Sequence, residues 1–125
     1  MCLIVFAHQA HKKFPLLVAA NRDELYDRAS ETSHFWLDKP DLLAGRDVFA
    51  NGTWLGISKR GRFAAITNGI NAKSKHIKKL SRGSIIVDFL AGKLSANQYA
   101  REVHSQVSNF NGFHLIAYDM KSMCY

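Results

Sequence analysis

The sequence predicts an α+β fold, a mainly antiparallel sheet joined by two helices. Short apolar segments with strand character occupy the first half of the chain. Two stretches of helical spacing follow, over residues 84–90 and 95–107, and an apolar run at residues 112–118 then returns to strand character. The order strands, two helices, strand is what points to α+β.

The first segment, Cys2-Leu-Ile-Val-Phe-Ala7, is short, continuous, apolar and partly β-branched, which marks a buried strand. Residues 8–13 are a polar break, and Phe14-Pro-Leu-Leu-Val-Ala-Ala20 is the second strand. Pro15 fits only near its first residue, where a missing N–H is tolerated. An antiparallel hairpin of these two segments brings Cys2 and the Asn21 region to the same end. Residues 25–46 are expected to be mostly irregular, with Phe35 and Trp36 packed and a short strand at 42–45. The clearest hairpin comes next: Thr53-Trp-Leu-Gly-Ile-Ser58, the turn Lys59-Arg-Gly-Arg62, then Phe63-Ala-Ala-Ile-Thr67. Gly61 supplies the positive φ such turns use. The small pair Ala64-Ala65 predicts close packing, and Asn68 stands at the strand's exit.

Residues 71–80 form a basic loop. Ile85, Ile86, Phe89 and Leu90 have helical spacing, and Gly92 ends that helix. Ser95-Ala-Asn-Gln98 is a capping box opening a second helix through Val107, with Tyr99, Val103 and Val107 on one stripe. Residues 112–118 form the last full strand. Beyond Asp119, residues 120–125 look like a turn into a strand that has barely begun, as in a truncated product.

At 125 residues, 47% hydrophobic and 22% charged, the chain has one domain's worth of core-forming sequence and no linker or repeat. The apolar run at residues 3–7 is too short for a signal peptide or a bilayer span. A cytoplasmic protein is therefore the expectation, with mitochondrial or other organelle association left open. Cys2 and Cys124 are expected as free thiols. The net charge of +7 gathers at Lys73, Lys75, Lys78, Lys79 and Arg82, and again at Lys59, Arg60 and Arg62. These are either solvated loops or a patch for an anionic partner. Nucleic acid is disfavoured, because no aromatics interleave the basic runs. The six histidines show no zinc spacing, His8-x-x-His11 being a single pair, so no metal site is expected. Trp36 and Trp54 are expected in the core.

Chemistry concentrates at the beginning. Removal of Met1 would leave an N-terminal cysteine whose α-amine can act as base for its own thiol, whereas a retained Met1 blocks that amine. The alternative for Cys2 is a structural thiol on a core strand. Asn21-Arg22-Asp23-Glu24 places four hydrogen-bonding groups just past an apolar strand. Arg22 can hold a carboxylate or a thiolate, and Asp23 can accept from an α-ammonium. Glu24 anchors the loop or pairs with Arg28. The plainer alternative is a solvated turn with internal ion pairs.

Met1-Cys2 with its apolar strand, Ala19-Ala-Asn-Arg-Asp-Glu24, Gly52-Thr-Trp-Leu-Gly-Ile-Ser58, Gly61-Arg-Phe-Ala-Ala-Ile-Thr-Asn68, Arg82-Gly83 and Asn111-Gly-Phe-His-Leu-Ile-Ala117 occur in that order. In these motifs the chain resembles the NRDE family, that of the Transport and Golgi Organization 2 proteins. The resemblance implies a single NRDE domain over residues 1–125, incomplete at the C-terminus. It implies the N-terminal portion of an N-terminal-nucleophile hydrolase-like αββα sandwich. By the same resemblance, Cys2, Asp23 and Asn68 occupy the nucleophile, amine-steadying and oxyanion positions. Asn21, Arg22, Glu24 and Arg82 are the expected ligand-binding residues. The implied function is binding or trafficking of a small anionic or hydrophobic ligand, haem or an acyl-coenzyme A-like lipid; no cofactor is assured, haem entering as a possible ligand. The alternative is a Cys2-dependent hydrolase of amide C–N bonds. An exposed sheet face or edge would favour a homo-oligomer.

Overall fold

The computed structural model describes residues 2–69 and 79–125. The basic residues Lys73, Lys75 and Lys78, and His76, lie outside the described residues. Strands β1 (Ile4–His8) and β2 (Leu16–Ala20) pair antiparallel, with Ile4 opposite Ala20 and His8 opposite Leu16. Pro15 stands just before β2 and closes the loop by accepting the Gln9 N–H at 2.8 Å. The proline therefore costs the ladder no donor.

A second sheet contains β3 (Ser30–Phe35), β4 (Leu42–Asp47), β5 (Leu55–Ser58), β6 (Phe63–Asn68), β7 (Phe113–Tyr118) and β8 (Met123–Cys124). They lie side by side in chain order, every neighbour antiparallel. Helices α1 (Gly83–Ala91) and α2 (Ala96–Ser105) are inserted between β6 and β7. The α+β class is the one the sequence predicts.

The period of two along a strand sorts side chains onto opposite faces, and β6 and β7 use both. Ala64, Ile66 and Ala117 meet the helices, packing with Ile85, Ile86, Phe89 and Leu90. Phe63, Ala65, Ile116 and Tyr118 face the other way, against Ile4, Phe6, Leu16 and Val18 of the hairpin. The result is three layers: helices, six-stranded sheet, two-stranded hairpin. Ala64 and Ala65 are fully buried, one on each face, so the small pair lets both layers approach. The capping box is formed as predicted, Gln98 N–H donating to Ser95 Oγ at 3.2 Å and Gln98 Oε1 accepting from Ser95 N–H at 3.0 Å. Gly61 has φ +76°, the left-handed turn position expected of it.

Several expectations are corrected. Residues 30–35 are a strand, not irregular chain. Their sequence, Ser-Glu-Thr-Ser-His-Phe, has no apolar alternation because β3 is an exposed edge, kept in place by pairing with β4 across a register shift between Glu31 and His34. Trp36 is buried, its indole N–H on Ala44 O at 3.0 Å, but Phe35 is half exposed. The second helix stops at Ser105, and residues Val107–Asn109 form a 3₁₀ turn. Tyr99 and Val103 are buried, while Val107 is 47% exposed. Gly92 does end α1, yet with φ −72°, not in the left-handed region. What excludes a side chain there is space, since a Cβ would lie 2.7 Å from Asp88 O.

In the turn cluster, Lys59 and Arg60 are exposed, as a solvated loop would have them, whereas Arg62 is buried. Arg60 donates to Ala91 O at 2.7 Å, and Arg62 donates to Phe89 O at 2.9 Å and Leu94 O at 2.6 Å. Both cations cover carbonyls at the C-terminal end of α1, where the helix dipole favours positive charge. Among the described residues, no helix is long and apolar enough to cross a membrane.

Candidate functional site

The β1–β2 register carries the N-terminus to the tetrad. Beyond the last ladder pair, Asn21 N–H donates to Leu3 O at 3.1 Å and Leu3 N–H to Asn21 Oδ1 at 2.7 Å. One residue further, Asp23 N–H donates to Cys2 Sγ at 3.3 Å, and Sγ faces Asp23 O at 3.6 Å. Asn21 thus works as a continuation of the ladder. The contact between Cys2 and Asp23 runs through the Asp23 backbone.

Cys2, Arg22, Glu24, Asn68 and Arg82 all line one polar cavity of about 350 Å³. Asn21 and Asp23 do not line it. The elements that converge are the start of the hairpin, the end of β6, the segment before α1, and the β4–β5 connection with Thr53 and Trp54. The α1 N-terminus comes close because Gly52 and Gly83 meet backbone to backbone; a Cβ on Gly52 would lie 2.7 Å from the Gly83 carbonyl carbon.

Charges around this cavity are unequally committed. Arg28 binds Asp47 Oδ2 through Nε at 2.8 Å, with Glu24 at 3.9 Å from the same nitrogen. Glu24 also accepts the Leu25 N–H at 3.1 Å, so it both anchors its loop and approaches Arg28. Burial would raise the Asp47 pKa, but hydrogen bonds from Ala50 N–H and Arg28 outweigh it and hold the carboxyl below its ordinary value. Arg82 donates to Gly112 O at 3.0 Å, and Lys79 donates to Phe110 O at 3.0 Å. Burial lowers the Arg82 pKa, repulsion from Arg28 adds to this, and Glu24 opposes it. Arg22 differs from all of these. Its guanidinium lies 4.4 Å from the centroid of the Trp54 ring, and it makes no hydrogen bond or ion pair among the described residues. Trp54 is therefore a cavity wall and only partly a core aromatic; it stands over Gly45, where a Cβ would meet its ring at 2.7 Å.

A second, larger cavity of about 590 Å³ adjoins the first, and its lining is predominantly apolar. Leu3, Ile4 and Phe6 of the hairpin form one wall, Val103 and Val107 of the helix layer another. Cys2 and Thr67 line both cavities, which places the Cys2 thiol at their junction. The stripe that keeps Val107 outside the core thus finds a use at this cavity. His104, His114 and Cys124 also lie on its lining. Cys2 and Cys124 are free thiols, and burial raises the Cys124 pKa. Among the described residues, no three His, Cys, Asp or Glu side chains group to hold a metal.

Sequence reasoning missed Trp54 as a partner of Arg22, and it missed Asn111, which lines the polar cavity beside Asn68. Both lie in motifs that carry the family resemblance, but nothing in their local composition marks them as cavity residues. Trp54 is an aromatic just before β5, and Asn111 stands between the 3₁₀ turn and β7.

Comparison with known proteins agrees with the motifs. The sequence model of the family Transport and Golgi organisation 2 matches residues 1–125. The chain is 34% identical over 129 aligned residues to the Transport and Golgi organization 2 homolog of Mus musculus, covering 98% of this chain and 46% of that protein. It is 35% identical to the homolog of Homo sapiens over the same shares. The Drosophila melanogaster protein named Transport and Golgi organization protein 2 is 23% identical over 98% of this chain and 47% of its own length. The chain spans about half the length of these relatives. On its motifs and on the match along its whole length, the chain belongs to the Transport and Golgi organisation 2 family.

Proposed function

We propose that this domain binds or traffics a small ligand with an anionic head and an apolar body, haem or an acyl-coenzyme A-like lipid. The observation that carries this is Arg22. A guanidinium stacked on an aromatic face with unused donors lies at a polar cavity that joins an apolar cavity of about 590 Å³ through Cys2 and Thr67. The planar fork suits carboxylate and phosphate, and stacking holds it at little entropic cost when an anion arrives. The apolar compartment has the size and lining of an ordinary small-molecule site.

Titration of the chain with haemin and with palmitoyl-coenzyme A tests this. Saturable binding to one of them is expected, weakened about 10- to 100-fold by Arg22→Ala, the loss typical of one charge-assisted hydrogen-bonded contact. Absence of saturable binding to both ligands would overturn the proposal.

A second reading is a Cys2-dependent hydrolase of amide C–N bonds. It is favoured by the position of the Cys2 thiol, which receives the Asp23 N–H and shares its cavity with Asn68. Turnover of an amide panel that is lost in Cys2→Ser, together with an intact mass showing Met1 removed, is the expected result. Turnover unchanged in Cys2→Ser, or an active form that retains Met1, excludes it.

A further inference from the structure

Asn111, between the 3₁₀ turn and β7, is held through the backbone on both sides of it. On one side of it Phe110 O accepts the Lys79 ammonium at 3.0 Å; on the other, Gly112 O accepts both Arg82 at 3.0 Å and the Gly69 N–H at 2.8 Å. Leu80 N–H adds a bond to Asn109 O at 3.0 Å. Backbone on both sides of Asn111 is therefore clamped, two of the four bonds coming from cations.

The side chain is treated in the opposite way. Its Oδ1 is sealed from solvent without a hydrogen-bond partner, and its amide makes no hydrogen bond among the described residues. Buried amides in folded proteins are almost always paired, so an amide whose backbone is fixed and whose side chain is unpaired calls for an explanation. Asn111 also lines the polar cavity. With Oδ1 sealed, the NH2 end is left to face that space. Asn68 pairs with Phe113 in the β6–β7 ladder, and the Gly69–Gly112 bond continues it, which brings Asn111 to the ladder's end, where it and Asn68 line the same cavity.

We propose that Asn111 is a ligand-contacting residue of this cavity, donating through its side-chain NH2 to an oxygen of the ligand. The class of group it recognises is a carbonyl or phosphoryl oxygen, presented alongside the anion held by Arg22. Lys79 and Arg82 position Asn111 by fixing the carbonyls on either side of it. A donor fixed before the ligand arrives loses little entropy on binding, which is what makes such a group discriminating. This inference rests on the proposed binding function.

Two measurements on the same chain test it separately from that function. In the first, 15N-labelled chain is titrated with inorganic phosphate while the Asn111 side-chain NH2 resonances are followed. In the second, palmitoyl-coenzyme A binding is measured by calorimetry for the parent, Arg22→Ala, Asn111→Ala and Asn111→Asp. The NH2 resonances are expected to shift saturably. Asn111→Ala is expected to weaken binding about 10-fold and Asn111→Asp more, since a carboxylate repels the oxygen that the amide attracts. If Asn111→Asp does not fold, Asn111→Ala and the resonance shift decide the matter. If Arg22→Ala weakens binding while the Asn111 variants bind like the parent and the NH2 does not respond, the Asn111 proposal is overturned and the cavity's function stands. If phosphate moves the NH2 but the parent binds no palmitoyl-coenzyme A or haemin, the amphiphile falls and Asn111 stands. Silence in both measurements overturns both.

Discussion

Two arginines of this chain show how differently one residue type is used. Arg62 is buried with its guanidinium 3.9 Å from the Phe89 ring centroid, donating to Phe89 O and Leu94 O. Arg22 lies half-buried on Trp54 and donates to nothing among the described residues. Replacing Arg62 with Met keeps the stem's packing but strands two carbonyls, so Arg62→Met should lower unfolding free energy by about 2–3 kcal/mol in urea titrations. Arg22→Ala should stay within about 1 kcal/mol of the parent, since only a partly exposed cation–π contact is lost. Equal losses for the two would refute the division of labour. In the sequence, Arg22 stood out because it follows an apolar strand within a run of polar residues. Arg62 looked like one more turn cation, because its partners are some thirty residues away.

At the scale of elements, α2 has two fastenings. The capping box is local and could be read directly from Ser95 and Gln98. Ser95→Ala should cost about 1 kcal/mol by thermal unfolding. The second fastening is Asp119, whose Oδ2 accepts the Ala96 N–H at 2.7 Å while Oδ1 accepts the N–H groups of Lys121 and Ser122. Partial burial works to raise its pKa, but these hydrogen bonds overcome it and bring the carboxyl down to about 2 from 3.8. A carboxyl more acidic folded than unfolded stabilises fully above its unfolded value, and the stabilisation is lost as pH falls toward the folded one. Stability should therefore decline between about pH 4 and pH 2, and Asp119→Asn should flatten that decline by about 1 kcal/mol. An acid limb unchanged in the variant would assign it to other groups. The element missed in the sequence, β3, lacks the apolar alternation that exposed edge strands can do without.

Across the whole molecule, the hairpin layer covers one face of the six-stranded sheet and leaves its own outer face open. Val5 and Leu17 are 57% and 43% exposed there. An apolar sheet face of this kind favours association. The chain alone should therefore show concentration-dependent self-association in sedimentation, reduced in the double variant Val5→Lys, Leu17→Glu. A monomer at all concentrations, or a variant that associates like the parent, would contradict this. Cys2, at the start of the hairpin layer, stands where the polar and apolar cavities meet.

The sequence by itself determined the α+β class, the hairpins, the capping box and the meeting of Cys2 with Asn21-Arg22-Asp23. Each of these depends on residues close along the chain or on the register of a single hairpin, so local pattern is enough to fix it. Only the tertiary structure decided that Trp54 lies under Arg22, that Arg60 and Arg62 cover the end of α1, and that Asn111 joins Asn68 at the cavity. These depend on how separate elements stack, and stacking is set by the shape and burial of whole faces. A polar side chain's partner across a layer leaves no trace in its neighbours along the chain.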